Sequence, residues 1–117
     1  MSNTASTAPI HLSAALIVKN EAAKLEACLQ SIAGWVDEIV IVDSGSSDAT
    51  LEIAQKYGAK VYSHTDWQGF GMQRQRAQYH VQGAWVMWLD ADERVTPELK
   101  QSLQAALNQY RDQKNVI

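Results

Sequence analysis

The sequence predicts an α/β domain, a parallel sheet with helices on both of its faces. Three observations carry that prediction. Short apolar runs recur four times, each cut off by polar residues. Between them lie stretches whose apolar residues fall at helical spacing. The last run, Ala84 to Leu89, is apolar on both faces, as a central strand covered from two sides must be. Strands that alternate with helices run parallel, because each crossover has to return over one face of the sheet.

Taken in order, residues 1–12 read as a flexible tail, since Met1 to Pro9 lacks both the basic start and the apolar centre of a signal peptide. Ala14 to Val18 is the first strand. It stops at Lys19-Asn20-Glu21, where Asn20 can cap the helix that follows. That helix lines up Ala22, Leu25, Leu29 and Ile32, and Gly34 ends it. It also contains Cys28, which as the single cysteine forms no internal disulfide and reads as a small buried thiol in a reducing cytoplasm. Glu38 to Val42 is the second strand, followed by Asp43-Ser44-Gly45-Ser46-Ser47-Asp48. Ser47 or Asp48 then caps a helix that turns Ile53, Ala54 and Tyr57 inward and ends at Gly58.

Lys60 to Ser63 makes the third strand. Gly69-Phe70-Gly71 precedes a more polar helix that runs to about Val81 and terminates at Gly83. After the fourth strand, Ala84 to Leu89, Thr96-Pro97-Glu98 places a cap, a proline at the first helical position and an acid in the first turn. Leu99, Leu103, Ala106, Leu107 and Tyr110 follow at helical spacing. The domain is therefore expected over 13–112, with 113–117 a second tail.

With 117 residues and 46% hydrophobic content, one compact domain with a real core is expected. A net charge of −3 without any basic block argues against a nucleic-acid partner. No apolar run has the length of a bilayer crossing.

Sheets of this kind bind ligands beyond the carboxyl ends of their strands, where the strand order reverses. Those ends carry Lys19-Asn20-Glu21, Asp43-Ser44-Gly45, His64 to Asp66, and Asp90 to Glu93. Asp90 and Asp92 lie two apart, so on an extended backbone their carboxylates project to one side. Such a pair repels itself unless a cation or proton compensates it. A magnesium or manganese ion would do so, taking one or two protein carboxylates and completing its shell with phosphate and water. That suits a reaction whose leaving group is a nucleoside diphosphate. On a random surface loop the triplet would more often be a solvated turn; its place after a central strand reverses that preference.

Asp43 can accept hydrogen bonds from a nucleobase or a ribose, and Gly45 lets a ligand approach the backbone closely. The competing reading makes Asp43 and Asp48 shape the turn and cap the next helix; it is preferred for Asp48, whereas the binding reading is preferred for Asp43. Arg74 and Arg76 follow the glycines of the third helix and could meet a diphosphate, although Arg76 reads better as an exposed helix residue. His11, His64 and His80 have no metal-ligand spacing, and His64 is taken as structural or solvated. Trp67 and Phe70 flank the same loop, as a lid, a stacking surface or core packing.

Together these segments resemble the inverting family 2 glycosyltransferases of the GT-A fold, and within them the lipopolysaccharide-core glucosyltransferase-like branch. The resemblance rests on Ile17-Val18-Lys19-Asn20-Glu21, on Glu38 to Asp48, on Trp67-Gln68-Gly69-Phe70-Gly71 and on Trp88-Leu89-Asp90-Ala91-Asp92-Glu93, in the family's order. It implies the Rossmann-like, nucleotide-binding half of that fold. By resemblance Asp43 reads a uracil-type base, Arg74 touches the nucleotide, and Asp90 contacts the ribose. Asp92, with Asp90, holds a divalent cation, Mn2+ or Mg2+. Asn20, Glu21 and Gly45 belong to the nucleotide pocket. The implied donor is a UDP-linked sugar, and the implied acceptor a saccharide or lipid-linked saccharide of the lipopolysaccharide or cell envelope. The implied location is the cytoplasm, peripheral to the membrane if the acceptor is lipid-linked.

Two departures stand out. Where the family carries Arg or Lys followed by Asn, this chain has Arg74-Gln75. The family's catalytic base lies after the Asp-x-Asp strand in a second half, and no residue here is nominated for that role. The expectation is a donor-binding half, a fragment or a truncated product, that binds nucleotide without transferring sugar. Alternatives are a phosphorelay receiver, which wants its acids after the first strand; a sugar-nucleotidyltransferase, which wants a glycine-rich basic loop there; and a non-catalytic nucleotide-binding module.

Overall fold

The computed structural model describes residues 11–109 together with 115–116. Its elements are β1 (Leu12–Val18), α1 (Ala22–Ile32), β2 (Glu38–Asp43), α2 (Thr50–Lys56), β3 (Lys60–Ser63), α3 (Phe70–His80), β4 (Trp85–Trp88), α4 (Pro97–Gln109) and β5 (Asn115–Val116). The sheet has the order β3-β2-β1-β4-β5, and every pairing is parallel. The 2-1-3-4-5 order of flavodoxin-like sheets, to which receiver domains belong, is absent, so the receiver alternative falls.

Alternation along the strands sorts the residues into two layers. Leu12, Ala14, Leu16 and Val18 of β1, Ile39 and Ile41 of β2, and Trp85 and Met87 of β4 join the main core. Leu25, Cys28, Leu29 and Ile32 of α1, Ala54 of α2, and Leu103 and Leu107 of α4 cover them. The opposite face, with Ala15, Val40, Val42 and Val86, is buried as well, and α3 is the helix left to cover it, through Gln73 and Ala77. A helix on a small two-strand footprint needs few apolar residues, which is why α3 reads as polar.

Several expectations shift. Leu12 already belongs to β1, because the N–H groups of His11 and Leu12 donate to Asp37 Oδ2 at 3.2 and 2.8 Å and so fix the strand's entry. The expected tail at 113–117 contributes β5, which pairs Asn115 with Trp85 and Val116 with Val86. A two-residue strand has no periodicity to detect, yet it satisfies backbone groups along the free edge of β4. Leu99 is 46% exposed, whereas Leu103 and Leu107 are buried as predicted. Tyr110 lies outside the described residues. Thr96 caps α4 as expected, its hydroxyl accepting from Leu99 N–H at 3.1 Å. Gly83 lies beyond the end of α3 and serves close packing: a Cβ there would sit 2.6 Å from Ser13 Oγ.

The chain steps outward from β1 to β2 and β3, then crosses back to the other side of β1 for β4. The reversal thus falls between β1 and β4. Because Trp88 is level with Ala15, β4 ends short of Val18, the last residue of β1. This step in the sheet edge opens a groove between Ile17 and the residues after Trp88.

Candidate functional site

The turns after β1 and β2 are stitched together by side chains. Asn20 has a positive φ of 54°, a region that Asn tolerates better than most residues. Its N–H donates to Ser46 Oγ at 2.9 Å, and its Oδ1 accepts from Ser47 N–H at 2.7 Å. Asn20 is therefore not the cap of α1. Asp48 supplies that function across the gap, accepting from Ala22 N–H at 3.2 Å while also accepting from Thr50 N–H at 3.0 Å and the Thr50 hydroxyl. The Thr50 hydroxyl bond, with these N–H donors, holds the Asp48 carboxyl below the usual range. Thr50 Oγ1 in turn accepts from Glu21 N–H at 2.9 Å.

Asp43 is 2% exposed. Its Oδ2 accepts from the N–H groups of Gly45 and Ser46, both at 3.1 Å, and its Oδ1 from the Ser46 hydroxyl. The carboxylate is thus folded into its own turn. Gly45, at φ 119°, makes that turn possible, since other residues rarely adopt this conformation.

Above the turns lies a cleft of about 390 Å³, bordered by Val18, Lys19, Glu21, Ser44, Thr65 and Trp67. A smaller hollow of about 130 Å³ is bordered by Arg74, Trp88, Leu89 and Asp90. Ile17 and Phe70 line both, so the two form one groove along the step between β1 and β4. Trp67 and Phe70 meet edge to face at 4.9 Å and remain 50% and 70% exposed, which answers the packing alternative: these rings face solvent at the groove's rim. The Arg74 guanidinium lies 4.6 Å from the centre of the Trp88 ring, a cation–π contact that aims it along the floor.

After β4 the backbone closes a tight turn. Asp90 N–H donates to Glu93 Oε1 at 2.7 Å, and Glu93 N–H to the Asp90 carbonyl at 2.9 Å. Ala91 is buried, while Asp90 and Asp92 are exposed on either side of it. Burial, and then the carboxylates of Glu93, Asp92 and Asp90, push the nearby Cys28 thiol up to about 11. Among the described residues the ion pairs are Lys56–Glu26, Lys60–Glu38 and Arg76–Asp66, so no protein cation compensates Asp90 or Asp92. Nor do the described residues form a cluster of three or more metal-binding side chains. Two exposed, uncompensated carboxylates fit an ion that takes one or two protein oxygens and draws the rest from phosphate and water.

Of the predicted residues, Glu21, Arg74 and Asp90 border the groove, Asp92 stands exposed one residue beyond Ala91, and Asn20, Asp43 and Gly45 form the scaffold behind it. Arg76 is not a free surface residue: it donates to Asp66 Oδ2 at 3.0 Å and to Gln73 Oε1 at 2.7 Å. His64 is turned toward His80, with Nε2 atoms 3.4 Å apart, and Thr65 borders the cleft. Lys19, Thr65 and Ile17 were not singled out from sequence as site residues, although their positions at strand ends were the available signal.

A groove at the reversal of a parallel sheet, with the Arg74 guanidinium on its floor and paired acids at its end, belongs to an α/β domain of GT-A type. The profile described as glycosyl transferase family 2 matches residues 13–115, and the chain belongs to that family. An uncharacterized glycosyltransferase of Rickettsia bellii is 38% identical over 103 residues, covering 86% of this chain and 35% of that protein. The lipopolysaccharide core biosynthesis glycosyltransferase LpsC of Rhizobium meliloti is 38% identical over 96 residues, covering 79% and 35%. The crystal structure of glucosyl-3-phosphoglycerate synthase from Mycobacterium tuberculosis in complex with UDP superposes with a TM-score of 0.62 at 29% identity, covering 77% and 36%. The chain thus spans about a third of the length of each of these proteins.

Proposed function

We propose that this chain is the donor-binding part of a glycosyltransferase that takes a sugar from a UDP-linked donor and delivers it to a saccharide of the lipopolysaccharide or cell envelope. The observation that carries the proposal is the continuous groove from the Lys19–Thr65 cleft, past Arg74, to Asp90. Its larger end has the volume for a nucleoside. Its smaller end has the charges for a diphosphate. The synthase solved with UDP supports the nucleotide, and LpsC the acceptor class.

In this reading Trp67 and Phe70 flank the base, Lys19, Glu21 and Ser44 line its pocket, and Arg74 supplies positive charge to the phosphates. Asp43 acts by holding the turn that carries Ser44. Asp90 meets the ribose, and Asp92 with Asp90 would hold Mn2+ or Mg2+. When bound, such an ion offsets charge on the departing diphosphate. The catalytic base is left to the part of the relatives beyond the matched third. Among the described residues no helix is long and apolar enough to cross a membrane.

The test is calorimetric titration of UDP, with and without Mn2+, on the parent chain and on Asp92→Asn. Manganese should tighten binding to the parent and have little effect on the variant. Equal metal dependence in both would remove Asp92 from its role, and a parent chain that ignores UDP would sink the reading.

A further inference from the structure

Gln73 is fully buried on the sheet side of α3, a position usually given to an apolar residue. Burying a carboxamide is costly unless its groups are bonded. Here they are. Nε2 donates to Ser44 Oγ at 2.8 Å and to the His64 carbonyl at 3.0 Å, and Oε1 accepts from Arg76 at 2.7 Å. Arg76 extends the chain of contacts to the Asp66 carbonyl and carboxylate, at 3.2 and 3.0 Å.

These partners come from two different turns. Ser44 follows β2, whereas His64 and Asp66 flank Thr65 after β3. Ser44 and Thr65 both border the larger cleft, on turns that lie side by side, with His64 N–H donating to the Asp43 carbonyl at 2.9 Å. One buried side chain therefore ties both borders to the helix that also presents Phe70 and Arg74. We propose that Gln73 is a positioning residue that fixes the gap between the β2 and β3 turns, and so sets the affinity of the cleft for the nucleoside end of the donor. This rests on the reading of the cleft as a nucleotide site.

The two claims separate experimentally. Gln73→Met keeps the volume and loses every polar contact; Gln73→Glu keeps the bond from Arg76 and loses both donors. Amide hydrogen exchange at Gly45, Ser46 and Thr65 is measured in the free proteins, and uridine and UDP are then titrated. Both variants should exchange faster at those amides. They should also bind uridine and UDP more weakly by one common factor of about ten, the scale of a lost buried polar pair. Unchanged exchange and unchanged uridine affinity overturn the proposal, as does a loss confined to UDP with Mn2+, which would put the effect at the diphosphate. If the parent binds neither ligand, the nucleotide reading fails and the affinity claim with it, while the exchange rates still report whether Gln73 holds the turns. Should Gln73→Met not fold, Gln73→Glu decides both comparisons.

Discussion

Asp43 separates two ways in which a carboxylate at a strand end can matter. If it reads a base directly, its removal should affect binding and spare the fold. The geometry predicts the reverse order of effects. Replacing Asp43 with Ala strips acceptors from Gly45 N–H, Ser46 N–H and the Ser46 hydroxyl in a partly buried turn. The hydroxyl can rotate toward solvent, but each stranded amide costs about 1–3 kcal/mol, so the loss is about 3–4 kcal/mol. For a domain of this size that lowers the Tm by more than about 10 °C. Asp43→Asn should cost less, about 1 kcal/mol, because the amide oxygen can still serve the two N–H groups, while the charge assistance is lost and the Ser46 hydroxyl gives up its acceptor and turns to solvent. Thermal unfolding followed by circular dichroism, together with uridine titration, checks both. Asp43→Ala unfolding at the parent's temperature while losing uridine binding would refute the turn-holding role and restore direct base reading.

Two further outcomes concern titration. At the opposite end of the strands, burial works against ionisation of Glu38, but the Lys60 ammonium at 2.8 Å, the Ser13 hydroxyl at 2.6 Å and Gln82 N–H at 2.8 Å together hold its carboxyl below the usual range. A depressed carboxyl contributes stability above its unfolded value of 4.5 and loses it as the pH falls through the lowered folded value. Glu38→Ala should cost about 3 kcal/mol at neutral pH and flatten the acid limb of the stability curve; an unchanged acid midpoint would contradict this. His80 is stacked on Tyr62 at 3.6 Å, and burial, then the charge of His64, lower its pKa from 6.5. The unfolded state then binds more protons, so this contribution is present above 6.5 and fades as the pH drops below it. His80→Phe, which keeps the stack, should reduce the slope of Tm against pH in that window, and an identical slope would exclude the pair as its source.

The strands were legible because an apolar run bounded by polar residues is a local signal, and the place of Asp90 and Asp92 followed from it. The scaffold of the site was not legible for the opposite reason. Asn20 to Ser47, Ala22 to Asp48 and Gln73 to Ser44 each join residues 26 to 29 apart in the chain, and periodicity reports only on neighbours. Seen locally, Asn20 is a helix cap; only the fold of β2 beside β1 turns it into a bridge. Arg76 reads as solvated until the β3 turn brings Asp66 beneath it.

The same distinction explains why the two acidic strand ends, alike in sequence, came out differently. Asp43 is followed by Ser44-Gly45-Ser46, small residues whose backbone curls back over the carboxylate and supplies donors for it. Asp90 is followed by Ala91, whose methyl is drawn into the core, so the chain turns outward and leaves the flanking acids in solvent. In that turn Glu93 accepts from Asp90 N–H, and its charge lies beside Asp90 and Asp92 without neutralising either. A turn that provides its own donors engages its aspartate; one that gathers acids leaves them exposed, as the proposed cation role requires. The donors of the residues that follow, Gly45 N–H and Ser46 N–H after Asp43 and, among the described residues, none after Asp90 within its own carboxylate's reach, thus separate the acid that is tied into its turn from the acids left exposed.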